Sequence, residues 1–207
     1  MEKLTQILSV AAPVHADNID TDIIFPGRFL LITDRDGLGR YAFYDWRFDG
    51  EGQERDFILG RAPWQGAQIL VTGENFGCGS SREQAAWALR GAGIRCVIAP
   101  SFGEIFYGNC FNNGILPVRI DADSHAALMA EAEAGRTLTA HVASGEIIAN
   151  DGRRFPFPLD QRRRDALLNG WDEIDAIRAA NGPDIHDFEQ AQRMAQPWLW
   201  TPYKETL

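Results

Sequence analysis

The sequence predicts an α/β fold with a partly parallel sheet flanked by helices, and three observations lead there. Between Gln68 and Ile120, apolar runs alternate with helical segments in a β-α-β-α-β order. That order implies parallel strands joined by right-handed crossovers. Further on, two apolar runs near 137–143 and 146–150 are separated by Ser144-Gly145, which reads as an antiparallel hairpin. Finally, 207 residues, 45% of them hydrophobic and 24% charged, suffice for one good core, or one core with a small appendage.

Taken in order, the first region runs to about Trp64 and is irregular. It holds a short apolar start, Ile7-Leu8-Ser9-Val10, and a polar turn, Asp17-Asn18-Ile19-Asp20-Thr21-Asp22. A glycine- and aromatic-rich piece follows, Gly37 to Trp46. Its aromatic content points to an ordered loop with a function rather than a disordered one. In the second region, a strand at 68–72 precedes a helix near 81–90 that Gly91 and Gly93 can end. A strand at 95–99, a short helix near 102–111 and a strand at 115–120 complete the unit. The third region opens with a helix over Ser124–Arg136 and continues with the hairpin, a turn at Asp151-Gly152, and helices at 160–169, 172–180 and 184–195. The tail from Pro197 to Tyr203 is apolar and needs cover from this chain or a partner. Arg162-Arg163-Arg164 reads as a solvated helix face. The expected division is a main domain over 1–170 and a C-terminal helical extension over 171–207, packing on the domain or on a partner.

The balance of charge narrows the partners. A net charge of −9 argues against nucleic acid or an acidic membrane surface, since each needs a basic face. No apolar run reaches the roughly 18–20 residues of a membrane span. The first residues carry no charged-then-apolar leader, so a cytoplasmic location is expected. Three cysteines, Cys78, Cys96 and Cys110, with no Cys-x-x-Cys pair, make a disulfide framework or a self-contained metal site in this chain unexpected. Cys96 reads as a small core residue. Cys78 reads either as packing beneath the glycine turn or as a reactive thiol at a helix N-terminus.

The chemistry concentrates in Glu74-Asn75-Phe76-Gly77-Cys78-Gly79-Ser80-Ser81-Arg82-Glu83, between a buried strand and a helix. A glycine turn there presents backbone N–H groups to an anion. Gly77 and Gly79 strip side chains from the approach, and Arg82 adds a fork suited to a carboxylate. Taken as N-cap, Ser80 stands three residues before Glu83, the spacing of a capping box. With two adjacent serines, one hydroxyl can cap while the other faces ligand. The stretch is neither the phosphate-binding Gly-x-x-x-x-Gly-Lys pattern nor the Gly-x-Ser-x-Gly nucleophile elbow. His15, His125, His141 and His186 all lie outside the motif, so a serine–histidine hydrolase is poorly supported. A serine without histidine can still act as a base if N–H groups and an arginine stabilise its alkoxide.

Three segments in this order carry a resemblance: Asp17 to Pro26, Glu74 to Glu83, and Ala99-Pro100-Ser101-Phe102-Gly103-Glu104-Ile105-Phe106-Tyr107-Gly108-Asn109. With Asp45-Trp46-Arg47-Phe48 between them, they resemble the 3-isopropylmalate dehydratase small subunits, relatives of the swivelling domain of aconitase. The resemblance covers about residues 5–170. It implies an aconitase-type swivelling domain and a split hydro-lyase that is active only with a large subunit, in a heterodimer or heterotetramer. A [4Fe-4S] cluster would sit in that partner, with no cofactor or metal in this chain. It further implies Ser80 as the catalytic base, and Gly79, Ser81 and Arg82 at the substrate. Another substrate arginine is implied after Asp22, for which Arg35 fits best by spacing and Arg28 second. The loop over 33–46 would recognise the side group of a small dicarboxylate, an isopropyl group in leucine biosynthesis. This sequence departs from the pattern at Gln84, where histidine is usual, at Asp34 and Asp36 beside Arg35, and from Trp171 onward. Those departures keep a related hydro-lyase open, acting on citramalate/citraconate or dimethylmalate. A non-catalytic anion-binding module on the same fold is the other reading.

Overall fold

A computed structural model describes residues 1–32 and 36–200. It begins with β1 (Gln6–Val14), followed by two short helices, α1 (Thr21–Ile24) and α2 (Tyr44–Arg47). Then come β2 (Ile69–Thr72), α3 (Gln84–Gly91), β3 (Cys96–Ala99), α4 (Glu104–Asn112) and β4 (Leu116–Arg119). The chain continues through α5 (Ala122–Glu133), β5 (Thr137–His141), β6 (Glu146–Ala149), β7 (Arg154–Pro156), α6 (Gln161–Asn169) and α7 (Glu173–Ala195). All seven strands join in one sheet, ordered β4-β3-β2-β1-β5-β6-β7.

Strands β1 to β4 are parallel, and β1, β5, β6 and β7 pair antiparallel. β1 belongs to both halves. Its residues Gln6–Val10 pair with β5, and Ala11–Val14 pair with β2. Every residue of β2 and β3 is buried, as expected for strands covered on both faces. The strands of the other half alternate: β5 shows buried residues at Leu138 and Ala140 only. α5 lies across β1, β2 and β5. The core is continuous and includes Ile69, Leu70, Val97, Ile98, Leu116 and Leu138, each without exposed area.

Local signals place most helix ends. Asp121 caps α5 by accepting from the Ser124 N–H at 2.9 Å, and Asp160 caps α6 through the Arg163 N–H at 2.9 Å. Gly170 ends α6 in the left-handed region, at φ 72°. The aromatic segment is packed: Phe29 lies 4.4 Å from Tyr41 and 4.9 Å from Tyr44, centre to centre.

Three features differ from the sequence reading, and one expected break is borne out. β1 is nine residues long and sits inside the sheet, because Ala11 to Val14 find a second partner in β2. β7 appears because the turn at Asp151-Gly152 returns the chain onto β6. The two expected C-terminal helices are found: α7 is interrupted at Asn181, whose φ −126° and ψ 16° are not helical, so one helix stops there and a second resumes beyond it. Pro183 follows the break closely, so it sits where the renewed helix has no use for an N–H. Of the three arginines, only Arg162 is exposed. Arg163 stacks on Phe111 at 4.7 Å and Tyr107 at 5.0 Å, and Arg164 donates to the Leu159 carbonyl.

Candidate active site

The carboxyl ends of β1, β2 and β3 point the same way, so the three loops that leave them meet at one edge of the sheet, where ligands of parallel sheets bind. Hydrogen bonds stitch the loops together. The Asn18 N–H donates to the Glu74 carbonyl at 2.9 Å, Gly77 N–H to Ile19 at 2.7 Å, and Thr21 N–H to Cys78 at 3.0 Å. From the third loop, Ser101 Oγ accepts from the Asn75 N–H at 2.8 Å, and the Ser101 carbonyl accepts from Phe76 N–H at 3.1 Å. The Gly103 N–H returns a bond to the Phe76 carbonyl at 2.9 Å.

Two glycines are required by this crossing. Gly77 has φ 72°, and a Cβ there would overlap the Phe106 ring. Gly103 passes so close to the Gly77 carbonyl that a side chain would collide with it. Gly79, at φ 93°, is exposed, and a side chain there would meet Asp20 Cβ at 3.5 Å.

Ser80 is half-buried at the end of the turn. Its Oγ lies 3.0 Å from Thr21 Oγ1, and its N–H donates to the same Thr21 oxygen at 3.3 Å. This corrects the expected capping role. α3 begins at Gln84 with Glu83 as N-cap, and no side chain caps it. The Glu83 carboxylate instead accepts from Asn113 Nδ2 at 2.9 Å. Residues 80–82 are therefore not yet helical, and Thr21, rather than the α3 amides, holds Ser80.

Both described arginines of the expected site are engaged. Arg82 forms a two-pronged ion pair with Asp22. That hydrogen bond holds the Asp22 carboxyl below its ordinary pKa and pushes the guanidinium up. Arg28 pairs the same way with Asp45, with the same consequences for both groups. Its guanidinium also lies over the Phe29 and Tyr44 rings, at 4.7 and 5.2 Å. Arg28 is exposed and turned toward Asp45, whereas Gly27 backs onto the Arg82 guanidinium. Ser81 is exposed beside Ser80. Arg35 and Asp34 lie outside the described residues, and with them the start of the expected specificity loop.

The structure thus brings Ser80, Arg82, Gly79 and Ser81 together with Asp20, Thr21 and Asp22. None of the last three is singled out by the sequence, although the segment holding them is. The recoverable signal is the order of the segments: parallel pairing of β1 and β2 must bring the loop after each to the same edge.

Cys78 is partly buried, and burial, then the charge of Asp20, push its thiol pKa up, the reverse of an activated thiolate. Burial pushes up Cys96 and Cys110 as well. Among the described residues no three His, Cys, Asp or Glu side chains are grouped to hold a metal ion. The three cysteines, two of them buried in the core, do not fit an iron–sulfur cluster. His125 Nε2 engages the Thr72 carbonyl at 2.7 Å, and His15 pairs with Glu133 at 3.1 Å. Among the described residues, no helix is long and apolar enough to cross a membrane.

Residues 1–123 match the family described as the aconitase C-terminal domain, and the chain belongs to it. A solved 3-isopropylmalate dehydratase from Methanocaldococcus jannaschii superposes with a TM-score of 0.62 at 28% identity, covering 91% of this chain and 99% of that one. Within that family the chain belongs to the 3-isopropylmalate dehydratase small subunits. It is 47% identical to the protein of that name from Rhodospirillum centenum, over 96% of this chain and 98% of the relative. The small subunit from Rhodospirillum rubrum is 48% identical, over 96% and 97% of the two chains.

Proposed function

We propose that this protein is the small subunit of 3-isopropylmalate dehydratase. It would supply the serine base that interconverts 2-isopropylmalate and 3-isopropylmalate through 2-isopropylmaleate in leucine biosynthesis. One observation carries the reading: a half-buried serine, Ser80, is held by a buried hydroxyl at the edge where three loops meet, with Arg82 two residues on.

In this reading Ser80 Oγ, as alkoxide, takes the proton from the carbon next to a substrate carboxylate. An O–H bond forms, a C–H bond breaks, and its electron pair becomes the carbon–carbon double bond as hydroxide leaves the neighbouring carbon. Rehydration reverses these steps with the hydroxyl on the other carbon. A [4Fe-4S] cluster held by the large subunit would act as the Lewis acid for the leaving hydroxide. Negative charge builds next to the carboxylate as the proton leaves, and Arg82 is suited to neutralise it. Asp22 now fills the Arg82 fork. A substrate carboxylate would take that place, exchanging one ion pair for another and keeping the guanidinium aimed in between. Ser81 and the exposed backbone at Gly79 would complete the carboxylate cradle. Arg35 would serve the second carboxylate, with Arg28 as the alternative.

Residues 1–170 would form the swivelling domain that closes over the large subunit, and 171–207 a C-terminal extension. The assembly would be a cytoplasmic heterodimer or heterotetramer. The decisive experiment uses this chain reconstituted with its large subunit. Ser80→Ala should lower turnover by about 10²–10⁴-fold while assembly and substrate binding persist; a Ser80→Ala complex with wild-type turnover would remove the base from this chain. Comparing isopropylmalate with citraconate on the wild-type complex fixes which substituted malate is preferred.

A further inference from the structure

The buried hydroxyl beneath Ser80 belongs to Thr21, which is 1% exposed. It is one of three buried polar or charged residues among those described, and its position is over-determined. Its backbone N–H is bonded to the Cys78 carbonyl at 3.0 Å. Asp20, just before it, caps α1 by accepting from the Ile23 N–H at 2.7 Å. Thr21 therefore cannot move without disturbing both the cap and the loop crossing.

The hydrogen bonds also favour one direction for its proton. Thr21 Oγ1 accepts from the Ser80 N–H, which uses one lone pair. Its other neighbour among the described hydrogen bonds is Ser80 Oγ at 3.0 Å. If Ser80 donated across that contact, the Thr21 proton would be a buried donor with no acceptor, an unfavourable state. If Thr21 donates, every group is satisfied, and the Ser80 proton is left free to point to the open side. The favoured arrangement thus sends one donor into Ser80 Oγ from beneath and leaves its outer face clear. A donor of this kind becomes stronger when the oxygen it meets is charged.

We infer that Thr21 is a positioning residue for Ser80: its buried hydroxyl donates to Ser80 Oγ, orients that oxygen outward and supports its alkoxide. The inference rests on Ser80 being the base, and the two claims are separable. In the reconstituted two-subunit complex, Thr21→Val keeps the shape and removes the hydroxyl, while Thr21→Ser keeps the hydroxyl. Thr21→Val should lower kcat about 10²-fold, the effect of losing one donor to a developing oxyanion, with KM nearly unchanged. Thr21→Ser should return kcat close to wild type. A wild-type kcat in Thr21→Val, beside an impaired Ser80→Ala, overturns the inference and leaves the base in place. Equal losses in Thr21→Val and Thr21→Ser also overturn it, since that pattern marks packing alone. Wild-type turnover in Ser80→Ala would instead remove the base itself. Should the valine variant not assemble, Thr21→Ala and Thr21→Ser give the same comparison with side chains of similar size. A kcat kept only by serine supports the role, and equal kcat values overturn it.

Discussion

From Gln6 to Val10, β1 runs antiparallel to β5 and mixes exposed with buried positions; from Ala11 to Val14 it runs parallel to β2 and every residue is buried. One strand thus belongs to two kinds of sheet. The parallel half is covered on both faces by its crossovers, so its strands read as unbroken apolar runs. The antiparallel half turns back through short hairpins and tolerates water on one face. The candidate site lies on the first half. Only there do the carboxyl ends of neighbouring strands point to one edge, which lets loops distant in sequence share hydrogen bonds at Ser80.

The sharpest way to break this contrast is at two serines. Ser80→Ala, on the parallel edge, should cost about 10²–10⁴-fold in turnover of the reconstituted complex, the usual contribution of a general base. Ser144→Ala, in the hairpin of the antiparallel half, should leave kcat/KM unchanged. Equal effects would deny that the halves differ in function. Stability separates them next. Leu70→Ala, in fully buried β2, should destabilise by about 2–5 kcal/mol, measured by the shift in denaturant midpoint. Leu8→Ala, at a position 62% exposed in the antiparallel part of β1, should stay within about 0.5 kcal/mol.

Glycines give a finer test. Gly77→Ala meets both a positive φ and the Phe106 ring, so about 2–4 kcal/mol of destabilisation is expected. Gly152→Ala, in the antiparallel half, has φ 87° but open space around it. Only the backbone term remains there, about 1 kcal/mol, and thermal melting of the two variants should rank them in that order. The smallest effect concerns acid. Arg82 holds the Asp22 pKa below its unfolded value of about 3.9. The pair therefore contributes above that value, and its contribution fades as pH falls through the lower folded value. Asp22 is half exposed, which limits the contribution to under about 1 kcal/mol. Asp22→Asn should lose slightly less stability than wild type between pH 6 and pH 2.5 in urea melts.

Much of this architecture is legible before any coordinates. The β-α-β-α-β run from Gln68 to Ile120 shows in its apolar spacing, and the Ser144-Gly145 hairpin in its turn residues. Asp160 and Gly170 mark the ends of α6 through their own chemistry. The tail is legible as well: the two helices expected on either side of Asn181-Gly182-Pro183 are there, separated by the non-helical backbone of Asn181. Capping at Ser80, by contrast, misleads. The Ser-x-x-Glu spacing is local, whereas the partner that captures Ser80 stands 59 residues away.

The sequence by itself determined most of the elements, the parallel order of β2 to β4, the glycines of the turn and Ser80 as the residue to watch. These follow from interactions within a few residues, which spacing and residue type express directly. Only the tertiary structure decided that Thr21 lies under Ser80, that Asp22 fills the fork of Arg82 and Asp45 that of Arg28, and that α3 starts too late to be capped by Ser80. Each depends on β1 and β2 lying side by side, so that their loops meet across a gap no local pattern spans.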